Sequence, residues 1–158
     1  MSIADMFLKV AGVTGETSDA DMKGQIDIVS WSWGMETPLD DFTGAPAGRA
    51  KVGEIRIVKR VDRASTTLMS YQTNNKVVDT ATLSVRKAGK TALTYVTIDM
   101  KQVRVTSLQV TSEGTELFER LSLRARALTV TYTPQGDTGA VGGGSTTFDW
   151  AWTAPAAQ

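Results

Sequence analysis

The sequence predicts a mainly β chain, packed as two sheets or closed as a barrel, with one short helix on its flank. Apolar and polar residues alternate in about eight successive segments, the period of a strand with one buried face. Breaks rich in Gly, Pro, Asn and Ser separate those segments. Helical spacing occurs once, after Asp62, and lasts only about three turns. With so little helix available, the apolar faces of the strands must bury against one another.

Residues 6–10 read as the first strand, ended by Ala11-Gly12 and a polar loop that runs to Lys23. The second strand, 25–34, carries Trp31 and Trp33 on one face and Ser30 and Ser32 on the other. Its apolar phase slips between Ile28 and Val29, which a bulge would reconcile. Large rings on one side are ordinary core. The small hydroxylated face opposite suits a surface that lines something, with Ser32 the better candidate and Ser30 the second.

Residues 35–53 follow, and Gly44, Pro46 and Gly48 predict an irregular connection. A connection this long in a compact domain is functional or disordered. Leu39 and Phe42 are apolar with nothing local to pack on, which favours a loop that docks on another subunit, with Asp40, Asp41 and Arg49 as its charged members.

Segment 54–61 is a half-exposed strand, with Ile55, Ile57, Lys59 and Val61 on one face. The helix comes next, capped by Asp62 or Ser65 and ended at Asn74-Asn75. Strands over 81–87 and 93–100 flank a hairpin turn at 88–91. A single strand continued to Val110 would measure roughly 60 Å, so the chain must bend or break near Lys101-Gln102. Ser112 to Thr115 turns it. In 116–133 the inward set Leu121, Leu123, Ala125, Ala127 gives way to Leu128, Val130, Tyr132, a phase flip that marks a bulge or a change of sheet. A Gly-rich, mobile loop is predicted at 134–145. Phe148, Trp150 and Trp152 form a last strand before a frayed tail.

The chain has 158 residues, enough for one domain over 1–158 with a real core. Seventeen Lys plus Arg balance seventeen Asp plus Glu. Without a basic excess, nucleic-acid binding is not expected, and zero net charge permits dense self-association. There is neither histidine nor cysteine, so Ser-His-Asp and Cys-His catalysis and thiolate metal sites are excluded. Counting leaves open a Ser-Lys or paired-carboxylate site; the one adjacent acidic pair, Asp40-Asp41, reads as solvated loop. Gly89-Lys90-Thr91 imitates the end of a phosphate loop, but Ser84 stands where that loop needs glycine and strands lie on both sides. No spacing matches a zinc or calcium site, and no cofactor is implied. A carbohydrate platform of Trp150 and Trp152 is the sharper alternative to core tryptophans. The N-terminus lacks a basic region followed by an apolar run, and no window reaches the ~18 apolar residues of a membrane helix. The expected location is cytoplasmic, and the general secretory route is not expected to export the protein.

Met6-Phe7-Leu8-Lys9, Trp31-Ser32-Trp33-Gly34 and Leu83-Ser84-Val85-Arg86-Lys87-Ala88-Gly89 together resemble the haemolysin-coregulated protein family, Hcp, of the bacterial type VI secretion system. The likeness runs in order over nearly the whole chain, through the Gly15-Glu16 loop, the long loop after Gly34, the helix and the terminal aromatic strand. It implies a small two-sheet β-barrel with one flanking helix and a non-enzymatic tube protein. It implies a homohexameric ring, rings stacked into a tube, a VgrG-type spike at the tip, a contractile sheath around it, and small secreted effectors in the lumen. It also implies secretion without a signal peptide. Tail-tube proteins of phage-like injection systems share the fold, and a ligand-binding barrel is the alternative of a different class.

Overall fold

A computed structural model describes residues 4–87, 93–135 and 143–153. The predicted turn at 88–91, most of the Gly-rich loop (136–142) and the tail beyond Thr153 lie outside the described residues. In chain order the elements are β1 (Ala4–Val10), β2 (Ile26–Asp27), β3 (Ser30–Ser32), β4 (Met35–Glu36), β5 (Lys51–Val52) and β6 (Ile55–Arg60). Then come helix α1 (Arg63–Thr73), β7 (Val78–Lys87), β8 (Leu93–Glu113), β9 (Glu116–Tyr132) and β10 (Thr146–Ala151). The fold is mainly β, a curled half-barrel of sheet with one helix.

Eight strands form one antiparallel sheet in the order β2-β1-β7-β8-β9-β6-β3, with β10 paired to the second half of β9. β4 and β5 make a separate two-stranded ladder. The run predicted as one strand over 25–34 is broken at Ile28–Val29. Ile28 N–H donates to Met6 O (3.0 Å) while Val29 N–H donates to Val58 O (2.8 Å). β2 therefore pairs with β1 and β3 with β6, so one short run is bonded to both ends of the sheet path. The phase slip seen in the sequence is the point where the chain changes partner.

The long strands bend where the sequence demands it. Gln102 adopts φ 50°, and this irregular residue lets Met100 and Val103, three apart, both point into the core. Val78 and Ala81 on β7 do the same at the same level, opposite Val103 and Met100. On β9 the flip from Leu123 to Leu128 matches it across the ladder. Three neighbouring strands thus bend together, and the sheet curls around one core of Leu8, Ile26, Leu83, Ile98, Leu121 and Leu123 with others. Each such side chain contributes about 1.5–3 kcal/mol by burial.

Of the two candidate caps, Asp62 is the N-cap and Ser65 is its partner one turn in. Asp62 accepts from Ala64 N–H at 3.0 Å, and Ser65 Oγ accepts from Asp62 N–H at 3.0 Å, a reciprocal capping box. The helix stops at Asn74, with Asn75 left-handed at φ 52°. It buries Ala64 and Leu68 and packs against β8. β6 is half-exposed as its alternation predicts, but its inward set is Ile55, Ile57 and Lys59. Val61 lies past the strand's end and is exposed.

Candidate assembly surface

The connection 35–53 is not irregular. Met35 and Glu36 pair with Val52 and Lys51, and Gly53 N–H donates to Gly34 O (2.9 Å) at the root. Farther out, Leu39 bridges Pro46, Ala47 N–H reaches Pro38 O (2.7 Å), and Asp40 N–H reaches Ala45 O (2.8 Å). Gly44 takes φ 69° in the tip turn, where a side chain would be strained. Proline and glycine end the regular ladder without abolishing it, because the bonds flanking the Leu39–Pro46 bridge run through Ala45 O and Ala47 N–H, so Pro46 needs no N–H, and the turn needs a left-handed residue.

The tip is pinned by Asp40, whose Oδ1 accepts from the backbone N–H groups of Phe42 (2.8 Å) and Thr43 (2.9 Å). The Thr43 bond, then the Phe42 bond, holds the Asp40 carboxyl below its ordinary range. Asp40 is thus a turn-forming residue that keeps its charge. Beside it Phe42 is 100% exposed and Leu39 57% exposed. Asp41 is exposed too. Arg49 sits on the returning side and donates to Thr153 Oγ1 at 3.1 Å.

Ser32 lies beside the root of this arm, sharing a recess with Met35, Glu36 and Lys51, and Ser30 lies one step farther along β3. Ser30 and Ser32 pair with Val58 and Arg56 on β6 and face outward, while Trp31 and Trp33 turn inward against the core. The serine face thus borders the arm at its root, while the tip residues Leu39 to Phe42 are not part of that recess.

The structure adds a feature that sequence reading missed. A cleft of about 820 Å³ opens beside the root of the arm. Arg49, Lys51, Arg104, Arg124 and Arg126 line it, together with the apolar surfaces of Leu123, Leu128 and Trp150. No carboxylate among the described residues lines it. Among the described residues only Arg124 of these cations meets a carboxylate, Glu54 at 3.5 Å. Arg104 instead bonds the Asn75 amide oxygen (2.5 Å), and Arg126 lies over the Trp152 ring at 5.3 Å. The outward position of Arg124 and Arg126 follows from the inward set Leu123, Ala125 and Ala127 on β9; their meeting with the arm root and β8 does not.

The catalytic alternatives find poor geometry. Ser65 Oγ lies 3.1 Å from Lys59 Nζ, a Ser-Lys contact, but both residues are buried. Asp62 Oδ1 (2.9 Å) and Glu119 Oε2 (3.3 Å) take the other two ammonium donors, so the amine has no lone role as a base. Asp40 and Asp41 sit on an exposed tip with no enclosing pocket. Trp150 is packed against the core and Arg126 covers the Trp152 ring, so they do not present two open faces for a sugar. Among the described residues no cluster of acids could hold a metal ion, and no helix is long and apolar enough to cross a membrane.

The chain matches the family described as "Type VI secretion system effector, Hcp" over residues 7–132. It is 33% identical over 151 residues to protein hcp1 of Pseudomonas aeruginosa, an alignment covering 92% of this chain and 93% of that one. A solved structure titled as a type six secretion system protein superposes with a TM-score of 0.85 at 23% identity, covering 95% of this chain and 96% of that one. Hcp1 from Salmonella typhimurium gives 0.77 at 24% identity, with 95% of each chain covered.

Proposed function

The chain belongs to the Hcp family of the type VI secretion system, and we propose that it is a structural, ring-forming tube subunit with no catalysis of its own. Six copies close a ring and rings stack into a hollow tube. Small effectors ride in the lumen, which Ser32 and Ser30 line. A VgrG-type spike caps the tube and a contractile sheath drives it out, so the protein leaves the cytoplasm without a signal peptide.

The observation that carries this reading is the arm. Its backbone is ordered by its own ladder and tip turn, yet it holds Phe42 and Leu39 out in solvent. Ordering a protruding hairpin costs conformational entropy, and exposed apolar side chains on it offset nothing within the subunit. A second subunit would cover them. A phage-like tail tube would use the same fold; the family match favours the secretion tube.

Light scattering on a sizing column tests the reading. A mass near six times 17.0 kDa that survives dilution is the expected result. A monomer at every concentration would overturn it.

A further inference from the structure

We propose that the basic cleft is the receptor for the arm tip of a second copy of this chain. This rests on the assembly reading above and deepens it by naming the surface that receives the arm.

The two surfaces are complementary. The tip presents Asp41, the turn-forming Asp40 and the fully exposed ring of Phe42 within three consecutive residues. The cleft presents Arg49, Lys51, Arg104 and Arg126, none of which has a carboxylate partner among the described residues. Behind these cations lie Leu123, Leu128 and Trp150, an apolar seat for a phenyl ring. A concave site walled by apolar atoms concentrates the field of like charges, so the uncompensated cations favour an acidic occupant with an aromatic anchor.

The occupant cannot be the same chain's tip. The arm is rooted at the rim of its own cleft, where Lys51 and Gly53 belong to both. From that root about eight residues run outward at ~3.3 Å each, on the order of 25 Å. Folding the tip back would break the Ala47–Pro38 and Asp40–Ala45 hydrogen bonds and the Leu39–Pro46 bridge. Donor and receptor therefore sit at opposite ends of one lever, which suits contact between copies.

The chain has no cysteine, so crosslinking needs no background removal. Thr43→Cys and Ala151→Cys are both at exposed positions, the first beside the intact Phe42 anchor on the tip and the second in the cleft lining. The two single variants are mixed, oxidised and run on a non-reducing gel, and each sample is also weighed by light scattering. The expected result is a mixed disulfide dimer in large excess over either variant alone. Adding Lys51→Glu and Arg126→Glu to the cleft chain should cut that yield about tenfold, since like charges then face each other. Rings of full mass without the mixed crosslink would overturn the receptor assignment and leave the ring standing. Monomers throughout would overturn both. An intramolecular disulfide in a chain carrying both cysteines would show that the arm covers its own cleft. Binding of tripolyphosphate to the cleft, in rings that fail to crosslink, would make it an anion site instead and also overturn the proposal.

Discussion

Replacing Lys59 by Met tests whether a buried charge cluster fastens the helix to the sheet. Lys59 on β6 and Glu119 on β9 have side chains with 0% exposure, and their atoms meet at 3.3 Å. Ser65 and Asp62 at the helix start complete the ammonium's three donor positions. Methionine keeps most of the aliphatic stem, so lost packing is small and the change is electrostatic. Glu119 Oε1 already has no partner, and the variant would strip Oε2 as well. Breaking a buried pair from one side costs about 3–5 kcal/mol, a large share of the ~5–15 kcal/mol that stabilises a domain.

Urea unfolding at fixed protomer concentration measures this, because assembly contributes to apparent stability. With a slope of ~2 kcal/mol/M the midpoint should fall by about 2 M. Adding Glu119→Leu removes the stranded carboxylate and should restore most of the loss, since the pair's own desolvation cost disappears with it. The cycle should then show a coupling of at least ~2 kcal/mol. A single-variant cost below about 1 kcal/mol, or a double variant that loses the sum of both singles, would refute the cluster as a buried, mutually dependent unit.

Asp62→Ala should cost about 1–2 kcal/mol in the same assay through loss of the cap to Ala64 N–H, and more if its contact with Lys59 counts. Gly15→Ala should destabilise by about 1–3 kcal/mol, because a Cβ there collides with the Gln25 carbonyl and lies 2.8 Å from Ile26 Cα, backbone that cannot yield; a neutral result in thermal melts would show that the Gly15 loop can move. The Arg86 guanidinium, hydrogen-bonded to Asp19, holds that carboxyl below its ordinary 3.8. The link is therefore fully present above pH 3.8 and is lost as pH falls through the lowered folded value. A carboxyl titration by NMR should find Asp19 low in the wild type and shifted upward in Arg86→Met. Ser32→Arg should leave ring mass unchanged and reduce retention of a lumenal cargo on co-purification; unchanged retention, or loss of the ring, counts against Ser32 as a lumen residue.

Much of the fold was legible because strand signals are local. Alternation located β6, β7, β8 and β9, and the length of the apolar run required the bend found at Gln102. The helix start was legible to within three residues: Asp62 and Ser65 were the two candidate caps, and the structure makes Asp62 the cap and Ser65 its partner at the third helical position. Pairing was not. Nothing local says that Ile28 serves β1 while Val29 serves β6, since that depends on which strands lie at the two ends of the sheet. The ladder in the arm was hidden for another reason. Its rungs are few, and the residues that usually break structure, Pro46 and Gly44, here occupy the two positions that tolerate them.

The charge reading shows how composition conceals a site. A net charge of zero permits association but gives it no direction. The structure gathers cations from the arm root, β8 and β9 into one cleft, most of them without a carboxylate partner among the described residues, and sets two carboxylates at the arm tip. Arg104 and Arg126 are far apart in sequence, so no local window shows their sum. With the charges separated in this way, the proposed association has a sense, tip to cleft. Two copies could satisfy this reciprocally as a closed pair, or each could pass its arm onward to the next. The reciprocal pair uses every tip and cleft at twice 17.0 kDa and stops there. A ring needs the same contacts to run one way round or between layers, and its mass is three times larger. The position of the native mass between those values therefore decides whether this polarity builds a dimer or a tube.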